Sequence, residues 1–199
     1  MRILAFSDIH RDVDRARQIV SASADADVVI GAGDFAICGE GSLDTLHVLR
    51  DCRCDVIIVH GNHDNACEMA DFCADWNLGH FLHGTAVEID GLCFAGLGGE
   101  VPSRTDHVWN ASESEERAAA MLAALPRASV IVTHTPPLGH ADLQHDGTHE
   151  GSAAIRDYIR QQNPRLALCG HIHNAWGMTG TIGDTRVHNL GPKLNWFEI

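Results

Sequence analysis

The sequence predicts an α/β fold with mixed parallel and antiparallel strands, and three observations predict it. Short apolar runs alternate with stretches of helical period through the first half, a two-residue hairpin signal stands in the middle, and the last part breaks into short runs separated by glycine. Residues 2–7 are the first run, which stops at Ser7-Asp8 before Val13, Ala16, Ile19 and Val20 recur at helical spacing. Val28-Val29-Ile30 then leads into Gly31-Ala32-Gly33, with a helix expected over about 42–50. Val56-Ile57-Ile58-Val59 leads into His60-Gly61, with a helix over about 65–75. Strands this short and continuously apolar suit a buried parallel sheet covered on both faces and joined by right-handed crossovers.

The second half departs from that rhythm. Residues 86–89 and 92–95 flank Asp90-Gly91, a dipeptide that tolerates the positive φ of a tight turn, so an antiparallel hairpin is expected. A helix over about 113–124 carries Glu113, Glu115 and Glu116 in its first turn, where the helix dipole favours anions. The strand Val130-Ile131-Val132, a helix near 152–161 and the strand Leu166-Ala167-Leu168 follow. Segments near 176–180, 185–189 and 193–197 read as short antiparallel strands.

Composition bounds what such a fold can do. The chain of 199 residues fits one domain, spanning 1–199. With 45% hydrophobic and 21% charged residues it has the makings of a packed core, which excludes disordered and fibrous classes. A net charge of −13 lacks the basic stripe of a nucleic-acid binder, so nucleic acid is not an expected partner. Carboxylates also serve as metal ligands, however, and a site that is repulsive when bare becomes cationic once metals enter. The seven cysteines are odd in number, and Cys52-Arg53-Cys54 is too tightly spaced for a zinc Cys-x-x-Cys pair, so reduced thiols are expected. No apolar stretch reaches the ~18 residues of a membrane span, and the first run meets Ser7-Asp8 without a small-residue cleavage site. A cytoplasmic protein with no membrane partner is the expectation. Fourteen scattered histidines call for an explanation.

They find one at the strand ends. Ligands of open α/β sheets bind beyond the carboxyl ends of the strands. Each of five apolar runs is followed there by metal-ligating residue types: Asp8-Ile9-His10, Gly33-Asp34, Gly61-Asn62-His63-Asp64, His134, and Gly170-His171-Ile172-His173. Any one of these could be a helix cap or a turn. Five of them, converging in one sheet, point to a metal site.

In this order the blocks resemble the calcineurin-like metallophosphoesterase superfamily, over residues 8–173. The resemblance implies a four-layer α/β/β/α sandwich of two mixed β-sheets flanked by helices. It also implies two divalent metal ions: one held by Asp8, His10, Asp34 and His173, the other by Asp34, Asn62, His134 and His171, with Asp34 shared. Such a pair, ~3.5–4 Å apart, shares a hydroxide and clamps the phosphoryl oxygens for in-line attack. Mixed imidazole and carboxylate ligation suits Mn, Fe, Zn, Ni or Co, manganese among the first to try. His63 matches a residue that contacts substrate and protonates the leaving oxygen. Asp64 would then orient the His63 imidazole, or cap the helix that follows.

Departures from the family refine this. Phe35-Ala36-Ile37-Cys38 replaces the Asp-Arg-Gly continuation of the protein serine/threonine phosphatases, and His60 stands where several branches carry Arg. Small single-domain phosphodiesterases are the nearer comparison. Leu97-Gly98-Gly99-Glu100 lacks the Gly-Lys-Ser/Thr of a phosphate loop and reads as a mobile loop. Loops 99–111, with Pro102, Arg104 and Trp109, and 138–151, with His140, His145 and His149, fall where a substrate lid could sit. The expected activity is hydrolysis of small or nucleotide phosphodiesters by a metal-bound hydroxide. A phosphomonoesterase on the same site and a noncatalytic scaffold are the alternatives. A metallo-β-lactamase-type hydrolase would need His-x-His-x-Asp-His early in the chain, which is absent.

Overall fold

A computed structural model describes residues 1–199. Its first half runs β1 (Arg2–Phe6), α1 (Val13–Ala22), β2 (Val28–Ala32), α2 (Ser42–Leu49), β3 (Asp55–Val59), α3 (Ala66–Ala74) and β4 (Gly79–Phe81). The second half runs β5 (Thr85–Ile89), β6 (Leu92–Leu97), α4 (Glu115–Ala123), β7 (Val130–Thr133), α5 (Ala153–Gln162), β8 (Leu166–Cys169), β9 (Thr179–Ile182), β10 (Thr185–Asn189) and β11 (Asn195–Glu198). Two sheets form, in the orders β11-β1-β2-β3-β4 and β5-β6-β7-β8-β10-β9. Both are mixed: in the first sheet only the edge strand β11 runs antiparallel, against β1, while β4 is parallel to β3, and in the second β5 runs against β6 and β9 against β10.

Period-two alternation makes each central strand feed two cores at once. Ile3, Ala5, Val28, Ile30 and Ala32 meet Phe94, Val130, Val132, Leu166 and Leu168 between the sheets. Leu4, Phe6, Val29, Val56 and Ile58 point the other way, onto Ile19, Leu46 and Met69 of α1 to α3. On the far side Ala95, Ile131 and Ala167 pack on Ala118, Leu122, Ile155 and Ile159 of α4 and α5. The result is a four-layer α/β/β/α sandwich, and it is why the runs are apolar throughout. Four helix starts are set by side-chain caps: Asp12, Asn65, Ser114 and Ser152 each accept from the amide three residues on.

The hairpin forms as read, with Asp90 at φ 49° and Gly91 at φ 76°. Three details differ from expectation. The strand expected at 176–180 lies at Thr179–Ile182, because a turn of 3₁₀ helix, His173–Ala175, occupies the residues before it. The last of the three closing strands, β11, leaves its neighbours and crosses to the first sheet to pair with β1. The five ligand-bearing strand ends belong not to one sheet but to two: β1, β2 and β3 in the first, β7 and β8 in the second. No helix is long and apolar enough to cross a membrane.

Candidate metal centre

The loops after β1 and β2 are joined by main-chain bonds: Asp8 N–H to Gly33 O (2.9 Å), His10 N–H to Asp34 O (2.9 Å) and Arg11 N–H to Phe35 O (2.8 Å). This lacing holds Asp8 (φ 55°), His10 (φ 39°) and Asp34 (φ 59°) in or beside the left-handed region, which His171 (φ 68°) also occupies. Residues other than glycine rarely adopt it, and such strain collects at functional sites. Gly61 is obligatory for a different reason: a Cβ there would collide with Asp34 Oδ1.

These loops bring the predicted ligands together in two groups. Asp8, His10, Asp34 and His173 offer one ligand atom each, all within 4.8 Å of one another. His10 Nε2 lies 3.4 Å from His173 Nε2 and 3.6 Å from Asp34 Oδ2, and His173 Nε2 lies 4.0 Å from Asp8 Oδ1. In the second group Asn62 Oδ1 is 3.2 Å from His134 Nε2 and 3.1 Å from His171 Nδ1. His134 Nε2 is 3.4 Å from Asp34 Oδ1, so the two oxygens of Asp34 face different groups.

Ring orientation is set from behind. His10 Nδ1 donates to Ala36 O (3.0 Å) and His134 Nδ1 to Ala32 O (2.8 Å), which leaves each Nε2 lone pair bare and aimed inward. Asp8 Oδ2 accepts from the Trp176 indole (3.1 Å) and from the Ser7 hydroxyl. Burial pushes the Asp34 carboxyl up to about 6, with help from the Asp8 charge. Burial, seconded by His171, brings His134 down to about 3 and keeps it neutral. No lysine or arginine stands in either group: Arg11 pairs with Asp44 (2.8 Å) and Arg104 with Glu100 (3.8 Å). Neutral imidazoles and carboxylates without a cationic side chain are the donor set of a divalent cation, and the residues fit one.

His63 sits beside the site, its ring 5.2 Å from that of His10 and stacked 4.6 Å from Trp109. Its Nδ1 accepts from the Cys38 amide (3.0 Å), so its proton resides on Nε2. Burial lowers its pKa, against the Asp34 charge. Asp64 does neither thing expected of it. Its carboxylate turns away from His63 and accepts four main-chain N–H groups, those of Asp34 (2.9 Å), Phe35 (2.8 Å), Ala36 (2.7 Å) and Gly61 (2.7 Å). The cap of α3 is Asn65. Asp64 is thus a buried clamp between the loops after β2 and β3, placed by the tight turn at Gly61 that points its side chain inward.

A pocket of about 310 Å³ opens on the site, lined by Asp34, Asn62, His63, Gln144, His171, His173 and Asn174. From loop 138–151 the residue that reaches it is Gln144. His149 instead pairs with the buried Asp142 (2.6 Å). Loop 99–111 folds down rather than standing free. Glu100, 4% exposed, takes hydrogen bonds from Asn110 (2.9 Å) and the Arg104 amide (3.0 Å) and faces His171 (3.4 Å). Burial works to raise its pKa, but these partners prevail and hold it at about 2. Sequence reading missed Glu100, Asn110 and Trp176, because each joins the site through a partner remote along the chain. A polar residue inside Gly98-Gly99-Glu100 was the one available signal.

A sandwich of this topology with ligand-type residues at one rim defines a metallophosphoesterase-like protein. The calcineurin-like phosphoesterase superfamily domain matches residues 1–195, and the chain belongs to that superfamily. Two Caenorhabditis elegans relatives are UPF0046 protein T07D4.2, 39% identical over 61 residues (30% of this chain, 15% of the relative), and UPF0046 protein C25E10.12, 25% identical over 232 residues (95% and 74%). The chain thus spans well under two thirds of the first of them. TT1561 of Thermus thermophilus shares the fold with a TM-score of 0.78 and 20% identity, covering 98% of this chain and 97% of that one. A dimetal phosphatase from Danio rerio (TM-score 0.64, 14% identity, 96% and 88%) and an archaeal phosphodiesterase (0.57, 19%, 96% and 84%) share it as well.

Proposed function

We propose that this chain is a binuclear metal-dependent phosphoesterase that hydrolyses phosphodiester bonds of small molecules, nucleotides among them. One observation carries the reading: Asp34 Oδ2 faces His10 and its Oδ1 faces His134, so a single carboxylate joins two ligand groups. Two divalent cations bound there would supply Lewis acidity toward the phosphoryl oxygens and an activated water. The chain's own residues do the rest. His63 presents its Nε2–H to the leaving oxygen, held in place by the Cys38 amide and the Trp109 ring. Gln144 and Asn174 line the same pocket, where the Asn174 amide donates to Gln144 Oε1 and the Gln144 amide to Glu150.

The lean towards diesters has a physical basis. The pocket lining contains no lysine or arginine. A diester brings one negative charge to it, a monoester nearly two, and beyond the two cations proposed no lysine or arginine of the lining meets the second. That solved proteins of this fold include a phosphodiesterase and a dimetal phosphatase agrees with the chemistry proposed.

Metal-depleted protein reconstituted with Mn, Zn, Ni or Co should hydrolyse an aryl phosphodiester faster than the matched monoester. The reverse preference would make it a phosphomonoesterase, and no turnover with any metal would make it a scaffold. Asp34→Asn should lower the occupancy of both metals by elemental analysis. Two normally filled sites in that variant would refute the shared ligand.

A further inference from the structure

Four polar side chains close a ring around the second ligand group. Asn62 Nδ2 donates to Asn110 Oδ1 (3.0 Å), and Asn110 Nδ2 donates to Glu100 Oε2 (2.9 Å). Glu100 Oε1 faces His171 Nε2 (3.4 Å), and His171 Nδ1 faces Asn62 Oδ1 (3.1 Å), where the ring closes. The polarity of every link follows from one member. An ionised carboxylate accepts and never donates. Asn110 must therefore turn its NH₂ to Glu100 and its oxygen to Asn62. Asn62 must then spend its NH₂ on Asn110, which leaves its carbonyl oxygen facing His134 and His171. By the same logic His171 gives its Nε2–H to Glu100 and keeps Nδ1 bare.

We propose that Glu100 is a positioning residue for the second cation site, setting from a distance which atoms Asn62 and His171 present to the ion. Loop 99–111, which carries both Glu100 and Asn110, is on this view a part of that site and not a lid over it. Charge supports the assignment. Asp34 is the sole anionic ligand of the second group, shared with the first, and the buried Glu100 carboxylate adds a negative charge directly behind His171, offset in part by Arg104, which lies 3.8 Å from the same oxygen. The proposal rests on the two-cation reading above.

The polarity argument supplies its own test. Glu100→Gln keeps the shape but must present an NH₂. If its oxygen takes the His171 proton, its NH₂ faces Asn110, Asn110 flips, and Asn62 turns its NH₂ toward the cation; if its oxygen stays on Asn110 and the Arg104 amide, its NH₂ faces His171 Nε2 and His171 turns Nδ1–H toward the cation. Adding Asn110→Asp to Glu100→Gln repairs the ring in the first case, since a carboxylate at position 110 would accept both from the amide at position 100 and from Asn62, while the Arg104 amide stays unmet. Mn²⁺ titrations of the full chain, by calorimetry and by the spin-coupled signal of a manganese pair, should show two ions in the unaltered protein. Glu100→Gln should keep the first affinity and weaken the second about 10–100-fold. In the first case the double variant should regain most of that loss.

Equal second-site affinity in Glu100→Gln overturns the role of Glu100 alone, whereas a loss that the double variant does not recover places that role at His171 and not at Asn62. An unaltered chain that takes up one Mn²⁺ overturns the two-cation reading itself. Thermal melts of the metal-free proteins separate a folding defect from a binding one. Should Glu100→Gln not fold, Asn110→Ala, which cuts only the arm to Asn62, carries the same expectation with a smaller loss.

Discussion

His63 keeps its proton on Nε2 because the Cys38 amide occupies Nδ1. A ring held this way donates a hydrogen bond to developing charge without first becoming an imidazolium. His63→Ala should therefore retain its metals yet lose about 10²–10³-fold in kcat on substrates with poor leaving groups, the cost of one aimed donor. In the unaltered protein kcat should hold as pH rises through the range below the ordinary imidazole value, where burial would make an imidazolium at His63 lose its proton; a falling limb there would restore general-acid catalysis. Asp34 should set the pH dependence of metal binding. Its pKa in the metal-free fold is raised from 3.8 to about 6, so below that pH an ion must displace a proton, and the stability this protonation gives the metal-free fold fades as pH rises from 3.8 to about 6. His134, at about 3, does not compete in this window. Mn²⁺ affinity should thus climb between pH 5 and about 6 and then level off for this group, and an affinity flat over pH 5 to 7 would contradict it. The seven ligand-type residues were legible because each adjoins an apolar run. Asp64 was not, since adjacency to His63 suggested a contact that the turn at Gly61 forbids.

Between elements, the loops after β1, β2 and β3 are fastened by main-chain bonds and by Asp64. Asp64→Asn keeps the volume but sets an NH₂ against two of the four buried N–H donors. Leaving two donors unmet at about 1–3 kcal/mol each, it should destabilise the metal-free protein by about 3 kcal/mol in urea unfolding. A loss under about 1 kcal/mol would show that the loops hold by themselves. Helices and central strands could be read to within a few residues because period and caps agree. β4 could not: Gly79-His80-Phe81 is three residues long with a polar centre, and its place comes from pairing with β3. Nor could the switch of β11 between sheets, since a short apolar run carries no address for its partner. Loop 99–111 read as the place of a substrate lid for want of periodicity, whereas its order comes from Glu100 and Asn110 bonding to each other and to His171 and Asn62 far along the chain.

For the whole molecule, any ion that binds the folded chain and not the unfolded one adds stability by mass action. At a hundredfold excess over its dissociation constant it adds about 2.7 kcal/mol, which for a chain of this size raises Tm by about 5–10 °C. Thermal melts with Mn²⁺ and with a chelator should differ by that much, and coincident melts would mean that the site does not hold the ion. The division of the ligands between two sheets also has a consequence in time. A site completed only when the two leaves have stacked cannot exist early in folding, so the ion meets the chain on the native side of the barrier. It should act as a latch: in stopped-flow experiments Mn²⁺ should slow unfolding and leave the refolding rate as it is. Faster refolding would show that the rim is already assembled when the chain crosses its transition state.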